Sequence, residues 1–359
     1  MLSAEERTRY DRHLILPEFG EAAQLKLKNA KVLVIGAGGL GCPALLYLAA
    51  AGVGTIGIVD GDNIEESNLQ RQVLFGSEDI GKSKAEVAAE KLSKQNPFVS
   101  IDAIPEFLTT ANAIVLFSEY DVILDGTDNF ATRYLCNDAA VICNKPLIHG
   151  SIFKFEGQVS VFNYKNGSTY RCLFPEPPAL GSVPSCSEIG VIGVLPGIIG
   201  NYQAMETIKV ITGIGEPLTG KLLCINTLNN TQQILEFDRN ETHASISELL
   251  ESYEIFCGFN PLVKEISFKE AQILLNKENS QLIDVREADE FKNHNVGGKN
   301  LPLSTFETNQ IHEGSTPIFI CQKGGRSLKA AQLFSVGLNR KAFSVTGGID
   351  GLSEEIAAL

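Results

Sequence analysis

Lys31-Val32-Leu33-Val34-Ile35-Gly36-Ala37-Gly38-Gly39-Leu40-Gly41 is the stretch that decides the fold. A short β-branched run stopped by glycine reads as a buried strand. The small and apolar residues from Leu40 to Ala51 read as a helix able to pack closely on a sheet. Strand, Gly-x-Gly-x-x-Gly, helix is the context in which this motif cradles phosphate. Residues without a Cβ let backbone N–H groups approach the ligand, and the helix N-terminus favours its negative charge. Asp60 closes the next strand, Thr55 to Val59. It lies roughly 20 residues further on, where a ribose-binding acid belongs.

Outward from this stretch, strands and helices alternate. Residues 5–30 read as two short helices broken near Pro17 and Gly20. Ser83 to Gln95 is a helix ended by Asn96-Pro97, and Phe130 to Cys143 is another. Ser100 to Ile104, Val122 to Leu124 and a run opening at Pro146 to His149 are strands. This alternation implies a Rossmann-like, mainly parallel sheet with helices on both faces. After about residue 150 the texture becomes antiparallel, with strands at Gln158 to Phe162, Leu222 to Asn226 and Gln233 to Phe237. Between them lie a loop from Phe174 to Ser187 and a helix from Leu195 to Thr212 that Gly213 stops. A polar passage at 239–263 separates this from a second α/β texture. There Ser267 caps a helix through Leu275, Leu282 to Val285 and Pro317 to Ile320 are strands, and Arg326 to Val336 is a helix. The expected organisation is 1–245, a linker at 246–264, and a small domain at 265–359.

Composition bounds the function. The chain has 359 residues, 44% hydrophobic and 20% charged, which is ordinary for a globular protein. Its net charge of −13 argues against nonspecific nucleic-acid binding. The N-terminus is polar and unlike a signal peptide, and the longest apolar run, Val191 to Ile199, is too short to span a bilayer. Eight scattered cysteines without a secretory signal fit a reduced cytoplasm.

The glycine loop alone leaves two readings open: NAD(P) with hydride transfer, or ATP cleaved at the α-phosphate. Ser67-Asn68-Leu69-Gln70-Arg71-Gln72 favours ATP. Asn68 and Arg71 offer a phosphate grip for which a dehydrogenase has little need. Lys84, at a helix start, can neutralise phosphate. Asp128, in Asp125-Gly126-Thr127-Asp128-Asn129, can hold Mg²⁺, which on a nucleotide needs only one or two carboxylates. Arg12 can add another positive charge from a helix.

As a set, Arg12, the glycine loop, Asp60, Ser67 to Gln72, Lys84 and Asp125 to Asn129 resemble the MoeB/ThiF family of ubiquitin-activating-type adenylyltransferases, over roughly residues 5–240. That resemblance implies adenylation of the C-terminal Gly-Gly of a small ubiquitin-like sulfur carrier, with release of pyrophosphate. It implies an ATP site of Gly36, Gly38, Gly39, Gly41, Asp60, Asn68, Arg71, Lys84, Asp128 and Asn129, with magnesium at Asp128. It also implies a homodimer in which Arg12 reaches the partner subunit's site. Cys186, in Pro184-Ser185-Cys186-Ser187-Glu188, resembles the cysteine some relatives link to the carrier. Many relatives bind zinc through two Cys-x-x-Cys pairs. Here only Cys172 and Cys257 remain of them, so no zinc is expected, and the two thiols are expected to pack together or form a disulfide. Cys42, Cys136, Cys143 and Cys224 are expected to be buried packing residues.

A second loop, Cys321-Gln322-Lys323-Gly324-Gly325-Arg326-Ser327, lies between a strand and a helix. Its glycines suit an anion-binding nest, and the helix dipole, Lys323 and Arg326 should lower the Cys321 pKa and stabilise a persulfide. The loop, with Leu282 to Glu287, Glu290-Phe291 and His294, Asn300-Leu301-Pro302 and Gly347-Gly348-Ile349, resembles rhodanese domains over about 265–359. Asp284 and Arg286 read as a structural ion pair. The joint expectation is carrier adenylation followed by sulfur transfer from Cys321 to form a thiocarboxylate, in molybdenum-cofactor (molybdopterin) or thiamine biosynthesis. The sulfur donor would be thiosulfate or a cysteine desulfurase persulfide. The rivals are an NAD-dependent oxidoreductase fused to a rhodanese domain, and a non-catalytic module docking a ubiquitin-like protein.

Overall fold

In a computed structural model, residues 1–178, 190–258, 260–276 and 279–351 are described. The chain changes from one compact unit to a second between Tyr253 and Glu254.

The first unit is built on eight strands: β1 (Lys31–Ile35), β2 (Thr55–Val59), β3 (Ser100–Ile104), β4 (Val122–Asp125), β5 (Leu147–Phe153), β6 (Glu156–Phe162), β7 (Lys221–Asn226) and β8 (Thr231–Glu236). Their order in the sheet is β3-β2-β1-β4-β5-β6-β7-β8. The pairs from β3 to β5 are parallel, and those from β5 to β8 antiparallel. The central parallel strands β1, β2 and β4 are apolar on both faces because both faces are covered. Val32, Val34, Ile56, Ile58, Val122 and Leu124 pack with Leu45, Leu48, Ala88 and Leu92 of the helices Gly41–Ala51 and Lys84–Gln95. Leu33 and Ile123, on the alternate face, are equally buried. Chain direction reverses its progress across the sheet between β1 and β4, where residue Ile35 pairs with Asp125. Such a switch point opens a crevice beyond the carboxyl ends of the strands, where ligands of open α/β sheets bind.

Helix boundaries follow local chemistry. Ser83 accepts from the Glu86 amide at 3.4 Å to start Lys84–Gln95, and Asn129 accepts from the Thr132 amide at 2.9 Å to start Phe130–Ile142. The N-terminal region departs from expectation. It forms three helices, Ala4–Arg9, Asp11–Leu14 and Gly20–Asn29. The additional break falls at Tyr10, whose buried hydroxyl accepts from Asn96 Nδ2 at 2.9 Å and so turns the chain early.

The second unit holds a five-stranded sheet of β9 (Val263–Ile266), β10 (Ser280–Asp284), β11 (Lys299–Asn300), β12 (Thr316–Ile320) and β13 (Ala342–Val345). All pairs are parallel, in the order β11-β10-β12-β13-β9. Ile283, Phe319, Ala330 and Phe334 form a core on one side, and Leu282, Ile318, Ile320 and Phe343 another. Ser267 and Glu270 form a capping box that starts Phe268–Leu275. Strand β9 begins inside the stretch read as linker. Its buried residues, Val263 and Ile266, flank the exposed Lys264 and Glu265, so no apolar run announces it. The same stretch contains Tyr253, only 1% exposed, whose hydroxyl donates to Asp138 Oδ2 at 2.7 Å within the first unit. Among the described residues, no helix is long and apolar enough to cross a membrane.

Candidate active sites

The glycine loop lies at the switch point, between the ends of β1 and β4. Gly36 adopts φ +90°, a conformation that L side chains rarely take, and sits 3.2 Å from the Gly126 carbonyl by the position a Cβ would occupy. Gly41 packs more tightly: a Cβ there would fall 1.9 Å from the Gly36 carbonyl oxygen. Asp60 closes β2 and pins the loop from the side. Its Oδ2 accepts from the Ala37 amide at 2.8 Å, and its Oδ1 from the Asp62 amide at 2.9 Å. Burial pushes the Asp60 carboxyl up, against those amides and the Lys84 charge. Lys84 is buried, with Nζ 3.0 Å from Oδ2 of the more exposed Asp62.

The segment after Asp60 closes over the loop. The Arg71 stem lies 3.5 Å from the Cβ position of Gly39, and NH1 donates to the Ser67 carbonyl at 3.0 Å. Asn68 is buried and accepts from the Glu65 amide through Oδ1 at 3.2 Å. Gln72 Nε2 lies 3.9 Å from the Cβ position of Gly38, and Gln72, itself buried, has an Oε1 without a partner among the described residues. On the β4 side, Asp125 accepts from the Thr127 amide at 3.0 Å and from the Thr127 hydroxyl at 2.6 Å. It also accepts from His149 Nδ1 at 3.2 Å. Burial pulls the His149 pKa down, against the Asp125 hydrogen bond that holds it up. The Asp125 bonds hold the turn that carries Asp128, which is exposed and bonded to no described side chain.

Asp60, Arg71 and the turn leading to Asp128 thus meet the loop, Lys84 is held beside Asp60's neighbour Asp62, and Asn68 is bonded within its own segment. Arg12 does not join them: its side chain is 88% exposed, and its ion pair is with Asp11 at 3.7 Å. Asn129 is committed to capping its helix. Three residues were missed. Phe107, 62% exposed, lies 2.7 Å from the Cβ position of Gly61, next to Asp60. Gln72 belonged to the quoted segment without being singled out. Arg133 is buried, donates to the Thr127 carbonyl at 3.1 Å, and leaves Nε unpartnered. Its position one turn into the helix after Asn129 was the available signal.

In the second unit Cys321 follows β12 and is 1% exposed. Its sulfur accepts from the Gly324 amide at 3.1 Å and lies 3.5 Å from Ser327 Oγ. Ser327 in turn donates to the Gly324 carbonyl at 2.7 Å, which closes the loop on itself. Gln322 accepts from Arg286 NH1 at 2.9 Å and donates to Asp350. Arg286 and Asp284 form the expected buried ion pair at 2.7 Å. Arg326 does not lean freely on the sulfur; both of its terminal nitrogens bind Glu290.

Among the described residues, no group of three or more His, Cys, Asp or Glu side chains is placed to hold a metal ion. No disulfide joins Cys172 to Cys257. Instead the Cys172 sulfur accepts from the amides of Thr169 at 3.4 Å and Asn240 at 3.3 Å. Cys42 and Cys136 are buried, with burial pushing Cys42 up to about 12, but Cys143 and Cys224 are only half-buried. Cys186 lies outside the described residues.

Residues 10–246 match the ThiF family model, and residues 267–355 match the rhodanese-like domain. The chain belongs to the ThiF family. It is similar to the probable adenylyltransferase/sulfurtransferase MoeZ of Mycobacterium tuberculosis, 44% identical over 97% of this chain and 93% of that one. It is also similar to the sulfur carrier protein adenylyltransferase of Thermus thermophilus, 49% identical over 71% of this chain and 97% of that one. The crystal structure of E. coli MccB with ATP superposes with a TM-score of 0.55 at 26% identity, over 63% of this chain and 69% of that one. ThiF-family membership with a rhodanese-like domain marks an adenylyltransferase and sulfurtransferase rather than a nicotinamide oxidoreductase.

Proposed function

We propose that residues 1–245 adenylate the C-terminal glycine of a small ubiquitin-like sulfur carrier, and that residues 265–359 supply sulfur as a persulfide on Cys321. The observation that carries the first half is the convergence of Asp60, Arg71 and the turn leading to Asp128 on a glycine loop at the sheet's switch point, with Lys84 held nearby by Asp62. Gly38 leaves the backbone open to phosphate oxygens, while Gly36, Gly39 and Gly41 let the loop pack closely on its neighbours. Asp60 suits the ribose, while Asn68, Arg71 and Lys84 suit the phosphates. The free carboxylate of Asp128 suits magnesium, most of whose ligands would be phosphate oxygens and water. The metal's contribution when bound is to neutralise charge on the phosphates.

The carrier carboxylate is ionised at neutral pH and needs no general base. It attacks the α-phosphorus, an acyl adenylate forms, and pyrophosphate leaves. Two anions must be brought together for this, so fixed cations and amides supply the catalysis. A persulfide on Cys321 then attacks the acyl carbon and AMP leaves. A thiol, for which Cys186 is the candidate, attacks the Cys321 sulfur of the acyl persulfide; the carrier thiocarboxylate leaves, and the Cys186–Cys321 disulfide that forms is opened by an external dithiol reductant. Thiosulfate or a cysteine desulfurase persulfide recharges Cys321. Arg12, exposed and paired only with the neighbouring Asp11 among the described residues, is assigned to a partner subunit's site in a homodimer. Molybdenum-cofactor or thiamine biosynthesis is the pathway class that consumes such a thiocarboxylate.

The test is ATP–pyrophosphate exchange with a panel of Gly-Gly-ended carriers. Exchange with one of them, lost on deletion of its terminal glycine, supports the proposal; nicotinamide turnover without exchange refutes it. For the second half, Cys321→Ala should abolish thiosulfate-dependent thiocarboxylate formation while leaving exchange intact.

A further inference from the structure

Three cations belong to the Cys321 loop or bond to it: Arg286, Lys323 and Arg326. Two of them are neutralised. The buried Arg286 is bound to Asp284. Arg326 NH1 and NH2 meet Glu290 Oε2 and Oε1 at 2.7 Å each, a fork-to-fork pair. Lys323 is exposed and has no carboxylate partner among the described residues.

The fold itself gives little reason for Arg326. It is the second residue of the helix Gly325–Leu338, where the dipole disfavours a cation. Both members of the pair are 37% exposed, so the pair adds little stability. Arg326 is nonetheless part of the loop that carries Cys321, five residues further on. Glu290, through its hydrogen bonds from Arg326, is held as a carboxylate down to about pH 2.

We propose that Glu290 is a specificity-determining residue: by neutralising Arg326 it lowers the loop's attraction for doubly charged sulfur donors and favours donors of low charge, such as a protein persulfide. This rests on reading Cys321 as the persulfide carrier. In the thiosulfate reaction the Cys321 thiolate attacks the sulfane sulfur. A new S–S bond forms, the donor's S–S bond breaks, and sulfite leaves with the electron pair. A dianion must approach a thiolate, so the net charge at the loop's mouth governs access. With Glu290 in place one side-chain cation is uncompensated; without it there are two.

The test measures kcat/KM of the full chain with cyanide as acceptor. The donors are thiosulfate, a dianion, and benzenethiosulfonate, a monoanion with the same sulfane chemistry. Glu290→Gln, which keeps an acceptor for the Glu287 amide that now bonds Glu290 at 3.0 Å, should raise the thiosulfate value. The gain is about tenfold, at the low end of electrostatic focusing, and about threefold for benzenethiosulfonate. Both gains should shrink in salt. Arg326→Met should shift the donor ratio the opposite way, since it leaves the Glu290 charge uncompensated. A pair that only shapes the loop would depress both donors equally in both variants. An unchanged donor ratio in Glu290→Gln, with an active wild type, overturns the proposal alone. A wild type that takes sulfur from neither donor overturns the persulfide reading with it.

Discussion

Adding a single methyl group at two glycines of the same loop should separate packing from ligand binding. At Gly41 a Cβ would sit 1.9 Å from the Gly36 carbonyl oxygen and 2.9 Å from its carbon. Favourable contact needs about 3.5 Å, so the backbone must give way by more than 1 Å. Over-packing of this kind costs about 1–3 kcal/mol. For a unit of this size that lowers Tm by about 2–4 °C per kcal/mol. At Gly38 a Cβ would meet only Gln72 Nε2, at 3.9 Å, an ordinary contact. Gly38→Ala should therefore unfold within about 1 °C of wild type, because nothing in the protein opposes the methyl. If phosphate oxygens approach this backbone, the same methyl occupies their space, and KM for ATP should rise about tenfold or more. The assays are differential scanning fluorimetry and carrier-dependent ATP–pyrophosphate exchange, with thiosulfate sulfurtransfer as a control that the second unit is unharmed. Gly41→Ala should lose both Tm and exchange. A Gly38→Ala enzyme with wild-type KM for ATP would refute the assignment of this loop to phosphate.

Asp128→Asn should lower exchange at least about a hundredfold, as loss of a key electrostatic group does, and shift the magnesium requirement upward. Tm should stay unchanged, because the side chain is exposed. Tyr253→Phe removes the hydrogen bond to Asp138 and should cost the first unit about 1 kcal/mol, read as a lower melting transition with exchange kinetics intact. Glu290 has an ordinary pKa of 4.5 that falls to about 2 in the fold. Its contribution to stability is thus complete above 4.5 and is lost as pH falls from there through 2. The Tm difference between wild type and Glu290→Gln should be constant at neutral pH and close on acidification; a gap that widens at low pH would contradict the ion pair.

Much of the fold was legible because its signals are local. Lys31–Ile35, Thr55–Val59 and Ser100–Ile104 are strands with the boundaries their apolar runs suggest, and Ser83, Asn96 and Ser267 mark helix ends through short-range bonds. What escaped was set by distant partners. Tyr10 breaks a helix because Asn96, 86 residues away, holds its hydroxyl. Strand β9 exists because β13 is there to pair with it. Its own four residues carry too little pattern to be recognised alone.

The same limit applies to charge, and more sharply. Residue types identified the cations of both sites, but a cation's effect depends on what neutralises it. In the first unit Arg71 bonds only a carbonyl and so retains positive field for a ligand, while Lys84 is paired with the carboxylate of Asp62. In the second, the equally suggestive Arg326 is closed off by Glu290, 36 residues upstream on a different helix. Both positions belong to the rhodanese resemblance, but no periodicity shows that they pair. Two loops that read alike as anion cradles therefore differ in available charge, in the direction their chemistry requires. Adenylation must hold a highly charged nucleotide, whereas a persulfide carrier that must yield its sulfur to an acyl group gains from a weaker hold on anions.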